Sequence, residues 1–254
     1  MLLADWQARF GGREHLRGKE IAELDELLSA YTPTGFTPVI SSGSRATIVG
    51  QGVSVVYRAE IFPPDVDPQD PRAVRGVIDR TFQTIEGHVQ HEEFRLPLPW
   101  QNKGLGSDCV RRSVELYDRL GLRTVSLSAV SFGIYVWAMC GFEFMYPGPR
   151  LQVVNAAQSF ADRLRLEYRL DLSQVRFPWE IASLEEVITY RDIAEARDEY
   201  VEEDDLPADE LEEEIAVGKA IMLMGGIPSW EGRLNLAPDT PGRRLFDLYT
   251  DSNV

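Results

Sequence analysis

The stretch "QNKGLGSDCVRR", residues 101–112, decides how this chain is to be read, because it sets two glycines, Gly104 and Gly106, at the head of an amphipathic segment. Downstream, Cys109, Val110, Val114, Leu116, Tyr117 and Leu120 recur at helical spacing, and Gly121 supplies a stop. Upstream, Phe94, Leu96 and Leu98 alternate with polar or proline positions, as in a strand with one buried face. The glycines therefore fall between the end of a strand and the start of a helix. A helix start offers unpaired backbone N–H groups and the positive end of a dipole, and glycines let a phosphate approach the chain closely. Lys103, Arg111 and Arg112 add positive charge nearby. Two common phosphate loops are excluded: GxxxxGK[ST] is absent, and GxGxxG would need glycine where Cys109 stands.

Outward from the loop, "VSVVYRAEIF" (53–62) reads as a strand, and "VRGVIDRTFQTI" (74–85) is expected to be a helix. "RTVSLSAV" (123–130) reads as a strand, and "GIYVWAMCGFEFMY" (133–146) as a short helix running into another strand. The order is that of an α/β protein. Residues 1–34 form an N-terminal arm, in which Leu16, Ile21, Leu24, Leu27 and Leu28 mark an amphipathic helix. Residues 35–150 make the core and 151–254 a mainly helical extension, with helices expected in 155–170, 183–200 and 209–226. The second of these starts from a Ser183-x-x-Glu186 capping box, and "WEGRLNLAP" is expected to return a strand to the sheet at 230–236.

"QNKGLG" resembles the Q/R-x-x-G-x-G/A signature of the GNAT-type N-acyltransferases, and "WAMCGFEF" (137–144) is similar to the Y-x-x-x-G-F end of that superfamily's second motif. The resemblance is strong over residues 88–146 and weaker over 35–150. It implies a mixed, splayed central sheet flanked by helices, and acetyl-CoA or another acyl-CoA as co-substrate. Backbone groups near Leu96 and Leu98 would pair with the pantetheine arm. The pyrophosphate would lie on the amides of Gln101, Asn102, Lys103, Gly104, Leu105, Gly106 and Ser107. Pro97 and Pro99 each remove one donor from that strand.

Moving an acyl group from a thioester to an amine needs a neutral amine and a route for its proton. Members of the superfamily commonly place a base nine to eleven residues before the Q/R position, which here spans Glu92, His91 and Gln90. Glu92 is the first choice of base, His91 the second and Glu93 the third; alternation along a strand puts His91 and Glu92 on opposite faces. The tyrosine that usually protonates the departing thiolate is replaced by Trp137, whose indole cannot do so. Tyr135 is the alternative acid, although it sits about 200° away around a helix. The thiolate could also leave unaided. His88, His91 and Glu92 are poorly spaced for a metal on a strand, so none is expected.

With 41 acidic against 26 basic residues the formal charge is −15, concentrated in the tract at 198–214. Such a surface repels nucleic acid and anionic lipid and favours a cationic amine. No apolar run approaches the ~18 residues of a spanning helix, and the N-terminus has no leader pattern, so a cytoplasmic location is expected. Cys109 and Cys140, in apolar segments without metal spacing, read as buried thiols. The expected function is N-acetyltransfer, or transfer of another acyl group, to a primary amine, preferably on a peptide or protein. The alternatives are a small-molecule amine acceptor and a non-catalytic acyl-CoA-binding or protein-interaction module. A homo-oligomer is compatible with the sequence.

Overall fold

The computed structural model describes residues 32, 36–40, 45–49, 52–63, 65–70, 72–83, 85–101, 103–164, 170–196 and 212–252. The expected N-terminal helix, Asn102 and most of the acidic tract lie outside them.

The chain is α/β. Strands β1 (Thr37–Ile40), β2 (Arg45–Val49), β3 (Gly52–Phe62), β4 (Gly76–Gln83) and β5 (His88–Arg95) precede helix α1 (Leu105–Leu120). Next come β6 (Thr124–Ala129), α2 (Gly133–Met139), β7 (Glu143–Phe144), α3 (Pro147–Arg163), α4 (Pro178–Ala182), β8 (Val187–Thr189), α5 (Tyr190–Ala196), β9 (Glu214–Ala216), α6 (Val217–Met224), β10 (Trp230–Asn235) and α7 (Pro241–Ser252). Among the described residues the main sheet has eight strands, in the order β1-β3-β4-β5-β6-β10-β7, with β2 also paired to β3. It is mixed: β3, β4 and β5 are successively antiparallel, whereas β5 and β6 run parallel. Helices flank it, and β8 and β9 form a separate antiparallel pair.

The fold divides into two compact units, residues 1–127 with 234–254, and residues 128–233. In the first, Val55, Tyr57, Ala59 and Ile61 of β3 form a continuous buried row. Phe82 of β4 meets Tyr117 of α1 edge to face, with ring centroids 6.0 Å apart. Each fully buried aromatic of this kind contributes about 1.5–3 kcal/mol. Helix α7 is tied to α1 by Arg243, whose guanidinium donates to both carboxylate oxygens of Asp118 at 3.1 and 3.0 Å.

In the second unit the core is built on Trp230, Phe142, Phe160 and Ile181. Helices α4 and α6 approach so closely that a Cβ on Gly218 would lie 2.3 Å from the carbonyl oxygen of Ile181. Only glycine permits that crossing.

Three local expectations are corrected: within 209–226, where a helix is expected, Glu214–Ala216 form β9 and the helix is Val217–Met224, and two further cases follow. Residues 74–85 are not a helix; Gly76–Gln83 form β4, between β3 and β5. Ile78, Arg80 and Phe82 are its buried row, and Asp79, Thr81 and Gln83 its more accessible one. An arginine in the buried row hid the two-residue period. Ser183 does not open a helix either: it closes α4. Helix α5 begins instead at Tyr190, just after Thr189, whose amide and hydroxyl both donate to Asp192 Oδ2, at 2.8 and 2.7 Å. The Asp192 amide donates back to Thr189 Oγ1 at 3.2 Å.

Candidate functional site

The parallel ladder between β5 and β6 pairs His88 with Thr124 and continues as far as His91 with Leu127. Beyond it β5 runs on to Arg95 while still paired to β4, so the two parallel strands part at His91. The root of the split is held by side chains. His88 is hydrogen-bonded through Nδ1 to Thr124 Oγ1 and through Nε2 to Ser126 Oγ, each at 2.8 Å, and Ser126 also donates to Gln90. Both His88 ring nitrogens are thus engaged across the ladder. Among the described residues no group of three or more His, Cys, Asp or Glu is placed to hold a metal.

Strand β5 ends at Arg95, three residues short of Leu98. Leu98–Trp100 form a single 3-10 turn, and Leu98 is 78% exposed. The prolines explain it: Pro97 has φ −56° and cannot donate, so the ladder stops. The carbonyl of Leu98 accepts the amide of Gln101 at 3.1 Å, and the carbonyl of Leu96 accepts the Gln101 side chain at 2.8 Å. Gln101 thereby fastens the loop back onto the end of the strand.

Gly104 then takes the left-handed conformation, φ 73°, as N-cap of α1, with no side chain capping the first turn. The amides of Leu105, Gly106 and Ser107 are the open donors of a helix start. Lys103 and Gly104 are exposed beside them, and Leu105, Gly106 and Ser107 partly so. A Cβ on Gly106 would meet only Leu96 Cδ1, at 3.7 Å. The protein's own packing does not require glycine there, whereas a group laid on the helix start would.

Two expected contributors of charge are otherwise engaged. Arg111 pairs with Asp108 and Glu115, both at 2.6 Å, and Arg112 with Asp108 at 2.9 Å. Two carboxylates thus match the two guanidiniums, and the arginines add no net positive charge to the start of α1.

The three base candidates are sorted by a β-bulge. Asp79 pairs with Glu93 and Arg80 with His91, so Glu92 is the extra residue of β5. Bulges of this kind re-aim side chains and recur beside active sites. Glu92 is exposed. His91 is 4% exposed, and its Nε2 is hydrogen-bonded to the hydroxyl of Tyr117 at 2.8 Å. Burial, then the nearby Arg80 and His88, hold the imidazole well below its ordinary pKa, so it stays neutral. Glu93 forms ion pairs with Arg58 at 3.6 Å and Arg95 at 3.4 Å. Of the three, Glu92 alone combines a carboxylate with open access. Its presentation on a bulge was not legible in the sequence. Nor was the part played by Arg80, whose only signal was an arginine in an alternating apolar row, or by Tyr117, which read only as a member of the apolar face of α1.

In the second unit, Trp137 is 8% exposed and packs on Phe142 with centroids 5.4 Å apart, a core contact. Tyr135 is half-buried, which raises its hydroxyl pKa. An apolar pocket of about 420 Å³, lined by Val130, Phe132, Ile134, Met222, Leu223 and Ile227 among others, includes none of the residues expected from sequence.

No protein-family model matches this chain, and no curated protein does. Among solved structures it is similar to the crystal structure of nourseothricin acetyltransferase, over 52% of this chain and 82% of that one, at 10% identity and a TM-score of 0.29. At that likeness the geometry of this chain's own residues has to carry the function. Among the described residues, no helix is long and apolar enough to cross a membrane.

Proposed function

We propose that this protein is an N-acyltransferase of GNAT type that moves an acetyl or other acyl group from acyl-CoA to a primary amine. The observation that carries the proposal is the uncapped start of α1. Gly104 holds a left-handed cap, Gly106 leaves open space over the first turn, and both come after a strand that parts from its parallel neighbour. Three converging amides at a helix N-terminus, with Lys103 alongside, suit a pyrophosphate. A donor strand with unpaired backbone suits a pantetheine arm.

The chemistry assigned to the chain is direct transfer. Glu92 accepts the proton of the incoming ammonium, directly or through water, so that the neutral amine attacks the thioester carbonyl. As the C–N bond forms, the C–S bond breaks. The second proton that the nitrogen sheds as it becomes an amide passes, through water, to the departing thiolate. The net charge of −15 favours a cationic acceptor, for which we assign an amine on a peptide or protein.

Calorimetric titration with acetyl-CoA, beside a Gly106→Glu variant, tests the cofactor assignment. Micromolar binding in the parent that is lost in the variant supports it and opens an amine screen. Absence of binding in the parent defeats it. Binding without turnover on a broad panel of amines would instead favour an acyl-CoA-binding module.

A further inference from the structure

We propose that Arg80 is a positioning residue, which clamps the β5 bulge so that Glu92 is presented in one fixed direction. This deepens the acyltransferase reading and rests on it. A bulge interrupts the ladder and leaves backbone groups on either side in want of partners. Here the register slips between Asp79 and Arg80 on β4, opposite Glu92 on β5. The Arg80 side chain fills that gap: Nη1 donates to the carbonyl of Asp79 and to the carbonyl of Glu93, both at 2.8 Å. One guanidinium therefore bridges both strands at the point where the ladder fails.

The other side of the bulge is held from α1. His91 is bonded to the Tyr117 hydroxyl, and the Arg80 guanidinium lies near enough to act electrostatically on both groups. Both neighbours of Glu92 are thus held by buried side chains, Glu93 through its carbonyl and His91 through its ring, while Glu92 itself is exposed. Arg80 is 1% exposed, with its guanidinium 5.7 Å from the Phe94 ring centroid. Burying a cation is unfavourable, and an apolar side chain of the same length would fill the space without that cost. A planar guanidinium is needed there because one donor group has to reach two carbonyls at fixed angles.

The test compares Arg80→Met and Arg80→Lys with the parent by amide hydrogen exchange over Glu92–Phe94 and by steady-state kinetics. In Arg80→Met, exchange at these amides should speed up about tenfold or more relative to the rest of β5. Acetyl-CoA affinity and the amine KM should stay within about threefold, while kcat falls by about 10²-fold, as expected when a reacting group is misplaced by about an ångström. Arg80→Lys, which retains a single point donor, should recover part of kcat. Unchanged exchange overturns the clamp whatever the activity. Faster exchange with kcat within twofold of the parent overturns the positioning role. Should Arg80→Met fail to fold, Arg80→Lys is judged by the same limits. A parent that binds no acetyl-CoA defeats the acyltransferase reading, and exchange then decides the clamp alone.

Discussion

His91 Nε2 lies 2.8 Å from the hydroxyl of Tyr117, and this one hydrogen bond joins the last parallel rung of β5 to the middle of α1. Both groups are buried, His91 at 4% and Tyr117 at 0% exposure. Removing the hydroxyl withdraws this partner from a buried imidazole. Tyr117→Phe should therefore destabilise the protein by about 1–3 kcal/mol, read as a shift in the urea midpoint at unchanged slope.

The same histidine sets a pH dependence. Its folded-state pKa lies well below the ordinary 6.5, so as pH falls past 6.5 the unfolded chain takes up a proton that the folded chain refuses. The contribution of His91 to stability is complete above pH 6.5 and is lost progressively below it. Urea midpoints for the parent should fall from pH 7.5 to pH 5. In His91→Gln that slope should be shallower; an equal slope would remove His91 from the account.

Gly106 separates folding from binding. A side chain there meets only the far end of Leu96, and replacing glycine within a helix gains up to about 1 kcal/mol. A carboxylate in the first turn also suits the helix dipole. Gly106→Glu should thus melt at or above the parent temperature yet lose acetyl-CoA binding. Gly104→Ala should behave differently, melting lower because φ 73° strains any side chain.

For Glu92 the expected loss is chemical. Glu92→Gln should lower kcat by about 10²-fold or more while leaving acetyl-CoA affinity within twofold. Retention of full turnover would move the base elsewhere.

The two cysteines should be silent. Burial pushes the Cys109 thiol up to about 12 and raises Cys140 still further, so neither carries appreciable thiolate at neutral pH. An aromatic disulfide reagent at pH 8 should label neither in the native protein and both in urea. Rapid labelling of either would mean that its burial is incomplete.

Local patterning fixed the loop and its neighbours. The 3.6-residue spacing from Cys109 to Leu120 placed α1 and Gly121 its C-terminal end, because amphipathic period and left-handed backbone are both written residue by residue; its start lies earlier than expected, at Leu105, with Gly106 inside the first turn. Pro97 and Pro99 were visible as breaks, but the 3-10 turn after Arg95 was not, since a missing donor marks where pairing stops without choosing the backbone conformation beyond it. Strand β4 was misjudged because its buried row contains Arg80, and no single-residue scale assigns a guanidinium to a core.

By itself, then, the sequence determined an α/β chain with a glycine-bearing helix start after a strand, and a short set of acid and base candidates around it. The tertiary structure set the surroundings of those candidates. Burial against α1 makes His91 a neutral member of the core, and a one-residue slip between β4 and β5 turns Glu92 outward. Both outcomes depend on residues distant in the chain, Arg80 and Tyr117, whose distances and hydrogen bonds exist only once the sheet and the helix have packed.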